Sequence, residues 1–191
     1  MCTKFGKEWA YTIGKSYGYI IANGGEASEP NQRKAAIWKI RNKPTDRRII
    51  ISMWQPPFFD KAVLPPCVYK VQFLVIDGKL YSFVEQRSCD TFIGVPFNIT
   101  QYAALTYMIA HVTGLKPGKM FYHMCDCHIY EEHIDTVKEM LARRDQALPA
   151  PKLWINPEIK EFEDFDNSKE MKDFKLIDYQ NLGELKGVVK A

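Results

Sequence analysis

The segment VYKVQFLVIDGKLYSFVEQRS, Val68 to Ser88, constrains the fold more than any other stretch of this chain. Two β-rich runs of alternating character flank Asp77-Gly78, a dipeptide that accepts the positive φ angles of a two-residue turn. The pattern therefore predicts two antiparallel strands joined in a hairpin. Pairing across that turn folds residues 86–89 back beside residues 67–69. Side chains alternate along a strand, so such a hairpin has one face to bury, and the rest of the chain must cover it.

The remaining elements are read around this hairpin. RRIIISMW, Arg47 to Trp54, is a β-branched run and predicts a strand that begins at the arginine pair. KMFYHMCDCHIY predicts another. RKAAIWKIRN reads as a short helix stopped by Lys43-Pro44. After Pro96, ITQYAALTYMIAHVTG has apolar residues at helical spacing and a closing Gly, and its near-continuous hydrophobicity predicts a buried helix. EEHIDTVKEMLARR predicts an amphipathic one. NGGEASEPNQ (23–32) and the proline-rich QPPFFDKAVLPP read as loops. The tail alternates short strands with acidic loops, and its last dozen residues read as a loose arm. The predicted class is α+β, a mostly antiparallel or mixed sheet with packed helices, in a single domain over residues 1–191.

Composition sets limits on function. An apolar fraction of 46% with 13% aromatics is enough for a real core. Lys and Arg number 26 against 23 Asp and Glu, a net charge of +3. That balance suits a small basic pocket for one anion and does not suggest a nucleic-acid groove. The five cysteines are odd in number and irregularly spaced, which predicts a reduced, cytoplasmic protein without a disulfide framework. No apolar run approaches the roughly 20 residues of a membrane span.

Cys67 follows Pro65-Pro66 at the start of the hairpin, where a rigid approach holds the backbone ahead of the thiol. Position alone leaves two readings, a fixed nucleophile or a small buried apolar group. Arg87, at the far end of the hairpin, favours the first, since a guanidinium near a thiol stabilises the thiolate. Arg47 and Arg48 are adjacent on a predicted strand and so point to opposite faces. Both can serve one anion only if the backbone bends or if they reach into a neighbouring subunit; otherwise they are two solvated charges. With Arg87 and Ser88 they supply the donors of a phosphate site. His128 and Tyr130, two apart on a predicted strand, share a face and could hydrogen-bond a sugar hydroxyl. Cys125, Cys127, His128 and His133 are possible zinc ligands, but C-x-C-H-x4-H is not a usual zinc spacing and no second cluster completes it, so no metal is expected.

LPPC followed by a hairpin, then QRSCD and GVPFN, a long helix and D-x-HIY-x-x-H together resemble thymidylate synthase, most closely from about Arg47 to Arg144. The resemblance implies that Cys67 attacks C6 of dUMP, making C5 able to attack the one-carbon unit of the co-substrate 5,10-methylenetetrahydrofolate. It places Gln86, Arg87 and Ser88 where the nucleotide phosphate and the thiol are arranged. Arg47 and Arg48 match an arginine pair that reaches the same phosphate across a homodimer. Asp90 matches a residue contacting both base and folate. Asn98 matches the asparagine that reads the uracil edge and favours dUMP over dCMP. His128 and Tyr130 match the pair holding the deoxyribose 3′-hydroxyl. Tyr17, in SYGY, matches a tyrosine assisting C5 deprotonation. The tail LKGVVKA, ending on Ala191, is similar to a closing C-terminus that seals the folate site.

The chain departs from the family pattern at Val68, where the family usually has His, and at Cys125, where it has Gly. It also begins after the family's N-terminal segment, so Glu8 and Trp9 take no role from that segment. The implied partners are dUMP, reduced folate and a second copy of the chain, with no membrane and no nucleic acid. The implied activity is C5 methylation of dUMP to dTMP. A phage-type dUMP hydroxymethyltransferase and an inactive fragment or split-gene product needing a complementing chain are the alternatives.

Overall fold

A computed structural model of the chain describes residues 31–54, 56, 59, 64–166 and 172–189, together with the backbone of 22–23 and 26–27. Tyr17 and Ala191 lie outside the described residues. The elements in chain order are β1 (Ala22–Asn23), β2 (Glu26–Ala27), α1 (Gln32–Asn42), β3 (Ile50–Ser52), β4 (Val68–Ile76), β5 (Lys79–Asp90), α2 (Gly94–Val112), β6 (Lys116–His128), α3 (Ile134–Ala142), β7 (Lys152–Ile155) and β8 (Phe174–Ile177). One-turn 3-10 helices at Glu131–His133, Arg144–Gln146 and Phe162–Asp164 connect them.

The central sheet has the order β3-β4-β5-β6. β4 and β5 form the hairpin expected around Asp77-Gly78, and Ile76 pairs with Lys79. Both turn residues take positive φ, 49° for Asp77 and 70° for Gly78. That twist matches the right-handed twist of the strands. Alternation then sorts the two faces. Val71, Phe73, Leu80 and Val84 are buried, and with them pack Ile49, Ile51 and Met53 before and around β3, Ala36, Ile37 and Ile40 of α1, and Ile109, Ala110 and Val112 of α2. The buried Thr106 hydroxyl donates to Ser82 Oγ at 2.9 Å and so pins α2 to β5 without stranding a polar group in the core.

Several expectations need correction. The chain over 23–32 is not all loop, since Ala22–Asn23 pairs antiparallel with Glu26–Ala27 and α1 begins at Gln32. β3 is confined to Ile50–Ser52, and Arg47 and Arg48 lie in the turn before it. Asp46 causes this: its Oδ1 accepts the Arg48 backbone N–H at 2.8 Å and Arg48 Nε at 3.0 Å, closing a local turn ahead of the ladder. The two contacts, backbone first, hold the Asp46 carboxyl at a pKa of about 2.

α2 starts at Gly94, so Pro96 sits inside its first turn, where its missing N–H costs no helical bond. It is also not enclosed all round: Phe97, Ile99 and Tyr107 are exposed along one side. β6 runs parallel to β5, paired from Lys79↔Lys116 to Asp90↔His128, so the sheet holds two antiparallel ladders and one parallel one. A parallel neighbour needs a crossover, and α2 supplies it. β6 ends at His128, leaving Tyr130 beyond the strand. The helix predicted over 131–144 is a 3-10 turn followed by the shorter α3.

Among the described residues no helix covers the other face of the sheet, where Ile50 and Phe121 are exposed. Ile50, Gln72, Phe83 and Phe121 form one row across all four strands, with the Phe83 and Phe121 rings stacked at 4.8 Å. Beside that row Glu85 accepts from the Tyr69 hydroxyl at 2.6 Å and pairs with Lys70 Nζ at 2.7 Å. Lys70 first, then Tyr69, hold the Glu85 carboxyl below its ordinary range. Glu85 in turn pushes the Tyr69 hydroxyl up to about 12. Because the folded pKa of Glu85 is depressed, its stabilisation is complete above the ordinary glutamate value of 4.5 and is lost as pH falls through the folded value. Urea unfolding of Glu85→Gln against the parent should therefore show a stability deficit at pH 7 that closes on acidification below about pH 4.

Candidate functional site

The hairpin delivers the expected juxtaposition. The Arg87 N–H donates to the Cys67 carbonyl at 2.9 Å, and Val68 pairs with Gln86 after a register shift between Val68 and Lys70. Cys67 is half-buried at the mouth of β4. The Arg87 guanidinium donates through Nε to the Pro65 carbonyl's neighbour, Pro66 O, at 3.2 Å and through Nη2 to Pro65 O at 2.7 Å. It thus fastens the Pro-Pro approach to Cys67, and it lies 5.9 Å from the Trp54 ring centroid. Prolines leave their carbonyls available as acceptors while donating nothing, so a guanidinium fork is well matched to them.

Gln86 is the buried hub of the site. It is 1% exposed, and each of its polar atoms is bonded. Nε2 donates to Ser88 O at 2.7 Å and to Asn98 Oδ1 at 3.1 Å, while Oε1 accepts a short hydrogen bond from the Tyr122 hydroxyl. These bonds tie β5 to the first turns of α2 and to β6. They also orient the Asn98 carboxamide, with Oδ1 toward Gln86 and Nδ2 left as a donor. Burial, then the Cys89 and Cys67 thiols, raise the Tyr122 pKa above the ordinary tyrosine value, so Tyr122 stays a neutral donor. Cys89 lies wholly buried between Ser88 and Asp90. Burial first, then Cys127, push its thiol up to about 11, which keeps it protonated.

Asp90 closes β5 and opens α2. Its Oδ1 accepts the N–H groups of Phe92 at 3.2 Å and Ile93 at 3.4 Å, and Oδ2 accepts that of Gly94 at 3.2 Å. A carboxylate at a helix N-terminus satisfies donors with no intrahelical partner and meets the positive end of the dipole. Asp90 pairs with His128 in the β5–β6 ladder, and Ser88 pairs with Asp126. His128 Nδ1 is 3.5 Å from Asp126 Oδ2, and its ring meets that of Tyr130 edge-on at 5.1 Å, so the two remain neighbours although Tyr130 has left the strand.

Cys67, Gln86, Arg87, Ser88, Asp90, Asn98, His128 and Tyr130 are thereby gathered at one end of the sheet. Arg47 and Arg48 stand apart. The Arg47 carbonyl accepts from the Gln72 side chain, and Gln72 lies five positions along β4 from Cys67, roughly 17 Å at about 3.3 Å per residue. Both arginines are exposed in the surface loop 43–48. Among the described residues no three His, Cys, Asp or Glu side chains come together as a metal cradle.

The family model for thymidylate synthase matches residues 3–191. The chain belongs to the thymidylate synthase family. Thymidylate synthase from Clostridium beijerinckii is 43% identical over 186 residues, which cover 96% of this chain and 67% of that one. Thymidylate synthase 1 from Bacillus subtilis is 40% identical over 173 residues, 89% of this chain and 60% of that one. The solved structure of thermostable thymidylate synthase A from Bacillus subtilis superposes with a TM-score of 0.82 at 39% identity, over 94% of this chain and 62% of that one. The chain thus spans about 60–67% of the length of these thymidylate synthases.

Two residues of the site escaped the sequence reading. Tyr122 looked like one strand residue among several; the alternation of β6, which puts it on the Gln86 side, is the signal that could have found it. His133 entered only as a possible zinc ligand and as the last position of D-x-HIY-x-x-H, with no role of its own, yet it is buried and its ring meets those of both Phe92 and Tyr130. Removing the hydroxyl with Tyr122→Phe leaves the buried Gln86 Oε1 without its donor. That should cost about 1–3 kcal/mol in a urea or thermal unfolding titration.

Proposed function

We propose that this chain carries the nucleotide site of a dUMP C5-methyltransferase, with Cys67 as the nucleophile and 5,10-methylenetetrahydrofolate as the one-carbon donor. The observation that carries the reading is the Gln86 hub. It joins the strand bearing Arg87 and Ser88 to the helix bearing Asn98, and it fixes the amide of Asn98 before any base arrives. With Oδ1 held by Gln86, the Asn98 Nδ2 can donate to a uracil O4, and the second lone pair of Oδ1 can accept from N3–H. Cytosine presents a donor and an acceptor in the reverse sense, so the fixed amide disfavours it.

The Cys67 thiolate adds to C6, the electron pair of the C5–C6 double bond passes into the enolate, and C5 attacks the one-carbon unit as its bond to a folate nitrogen breaks toward nitrogen. Loss of the C5 proton, cleavage of the second carbon–nitrogen bond, hydride transfer from the reduced folate and departure of Cys67 as thiolate then leave dTMP and dihydrofolate. Arg87 holds the Pro65-Pro66 approach through both proline carbonyls and so fixes the backbone that carries the attacking sulfur. Ser88 and Arg87 receive the phosphate end. His128 and Tyr130 receive the sugar hydroxyl. Asp90, on the turn into α2, faces both the base and the folate.

The homodimer completes this reading. Arg47 and Arg48 are too far from their own Cys67 to bind the same phosphate, and the sheet leaves the apolar row Ile50, Phe83 and Phe121 open. A second copy laid on that face covers the row and brings its arginine pair toward the first copy's phosphate site. One loop of exposed arginines and one uncovered sheet face thus have a common explanation.

Two measurements test the proposal. Intact mass after incubation with 5-fluoro-dUMP and methylenetetrahydrofolate should show a covalent ternary adduct, since fluorine blocks loss of the C5 substituent. Cys67→Ala should show none, and an adduct persisting in that variant would remove Cys67 from its role. Product analysis with dUMP then separates methyl from hydroxymethyl transfer. For the dimer, Cys67→Ala and the double variant Arg47→Ala, Arg48→Ala should each be inactive alone. Mixed after reversible dissociation, they should recover part of the parent rate, because a hybrid dimer has one intact site. No recovery from a mixture that sizes as a dimer would show that each chain uses its own arginines.

A further inference from the structure

Residues 178–189, after β8, form no helix or strand, and at their end Val188 and Val189 are 65% and 76% exposed. The segment is nevertheless fixed at two points, both on the element that follows β6. This corrects the expectation of a loose arm. Arg143, just past α3, donates to the carbonyls of Leu182 at 3.0 Å and Gly183 at 3.4 Å. His133, in the 3-10 turn before α3, accepts the Val188 N–H on Nε2 at 3.2 Å. Between these anchors Gly187 comes very close to the turn into α2. A Cβ there would lie 2.6 Å from Ile93 Cδ1, 2.7 Å from Phe92 Cε1 and 3.2 Å from His133 Nε2.

His133 is itself rigidly seated. It is 2% exposed, with its ring 5.1 Å from Phe92 and 5.9 Å from Tyr130. Because Nε2 accepts, a neutral ring carries its proton on Nδ1, and Nδ1 is buried with no hydrogen-bond partner among the described residues. The bond to Val188 is therefore the ring's one polar contact in that set. The tail meets Phe92 and Ile93, whose N–H groups hold Asp90. Tyr130, on the other side of the ring, touches His128. One imidazole thus lies between the C-terminal segment and the residues assigned to the sugar.

We propose that His133 is a positioning residue, latching Gly187 and Val188 onto the Phe92–Ile93 turn and coupling that latch through Tyr130 to the nucleotide side of the site. The coupling half rests on the functional reading above; the latch does not. The hold is one hydrogen bond and one glycine-sized fit, with little apolar burial, so it is weak enough to be made and broken during turnover.

The latch is read by amide hydrogen exchange at Val188 in the ligand-free full chain. His133→Leu removes the acceptor and should speed exchange about tenfold. His133→Gln, whose Oε1 can accept the same N–H, should restore much of the protection. Gly187→Ala keeps the ring but forces the tail off the turn, and should match His133→Leu. If His133→Leu fails to fold, Gly187→Ala decides alone. Unchanged exchange in the folded variants overturns the latch. For the coupling, both variants should raise the KM for dUMP several-fold, with His133→Gln intermediate. Faster exchange with the KM for dUMP unchanged overturns the coupling. Because exchange is measured without ligands, failure of the enzymatic reading leaves the latch result standing.

Discussion

The register between β4 and β5 decides where every other part of the site stands. Phe73, Leu80, Val71 and Val84 must all face the helices, and a slip of one residue would turn them outward together. The Asp77-Gly78 turn supplies the only two-residue closure consistent with that burial. At the far end of the ladder the same register sets Gln86 on the buried face and lays the Arg87 backbone against Cys67. Core packing around Phe73 thus positions a thiol several residues away, without a contact between them.

The parallel β5–β6 ladder carries this placement across the sheet. Asp90 and His128 are paired at the C-terminal ends of their strands, where the crossover helix begins. Helix N-terminus and strand ends therefore meet at one edge, a common position for a ligand crevice in parallel arrangements because loops and unpaired helix donors converge there. Asp90 uses those donors already, so its carboxylate is fixed in the free protein. The Gln86 hub does the same for Asn98. A buried amide with every bond made holds a single arrangement, whereas a partly satisfied one would be costly and mobile. The site is preorganised by polar groups that are themselves out of reach of solvent.

The opposite face carries a different requirement. The row Ile50, Gln72, Phe83 and Phe121, apolar but for Gln72, crosses all four strands, yet among the described residues the helices cover the other side. Arg47 and Arg48 sit at the margin of that sheet, held outward by the Asp46 turn. Within one chain the two cations therefore stand remote from Cys67, at the edge of the face that the helices leave uncovered among the described residues.

What the sequence determined by itself was whatever depends on neighbours within a dozen or so residues. Turn chemistry at Asp77-Gly78 and period-two alternation specify the hairpin, and the hairpin specifies that Cys67 and Arg87 meet. The Pro-Pro approach and the helical spacing of 99–114 are equally local. Tertiary structure alone decided the direction of β6, because a parallel partner is chosen by the crossover and not by the strand's own composition. Arg47 and Arg48 left β3 through a contact just as local, the Asp46 carboxylate two residues away outcompeting β propensity, and α2 runs back through Pro96 to Gly94, whose N–H Asp90 accepts. Tyr122 and His133 acquire their roles from partners 36 and 55 residues away in sequence. A polar side chain at a buried position must find its hydrogen bond wherever the fold brings a partner, and no local pattern records where that will be.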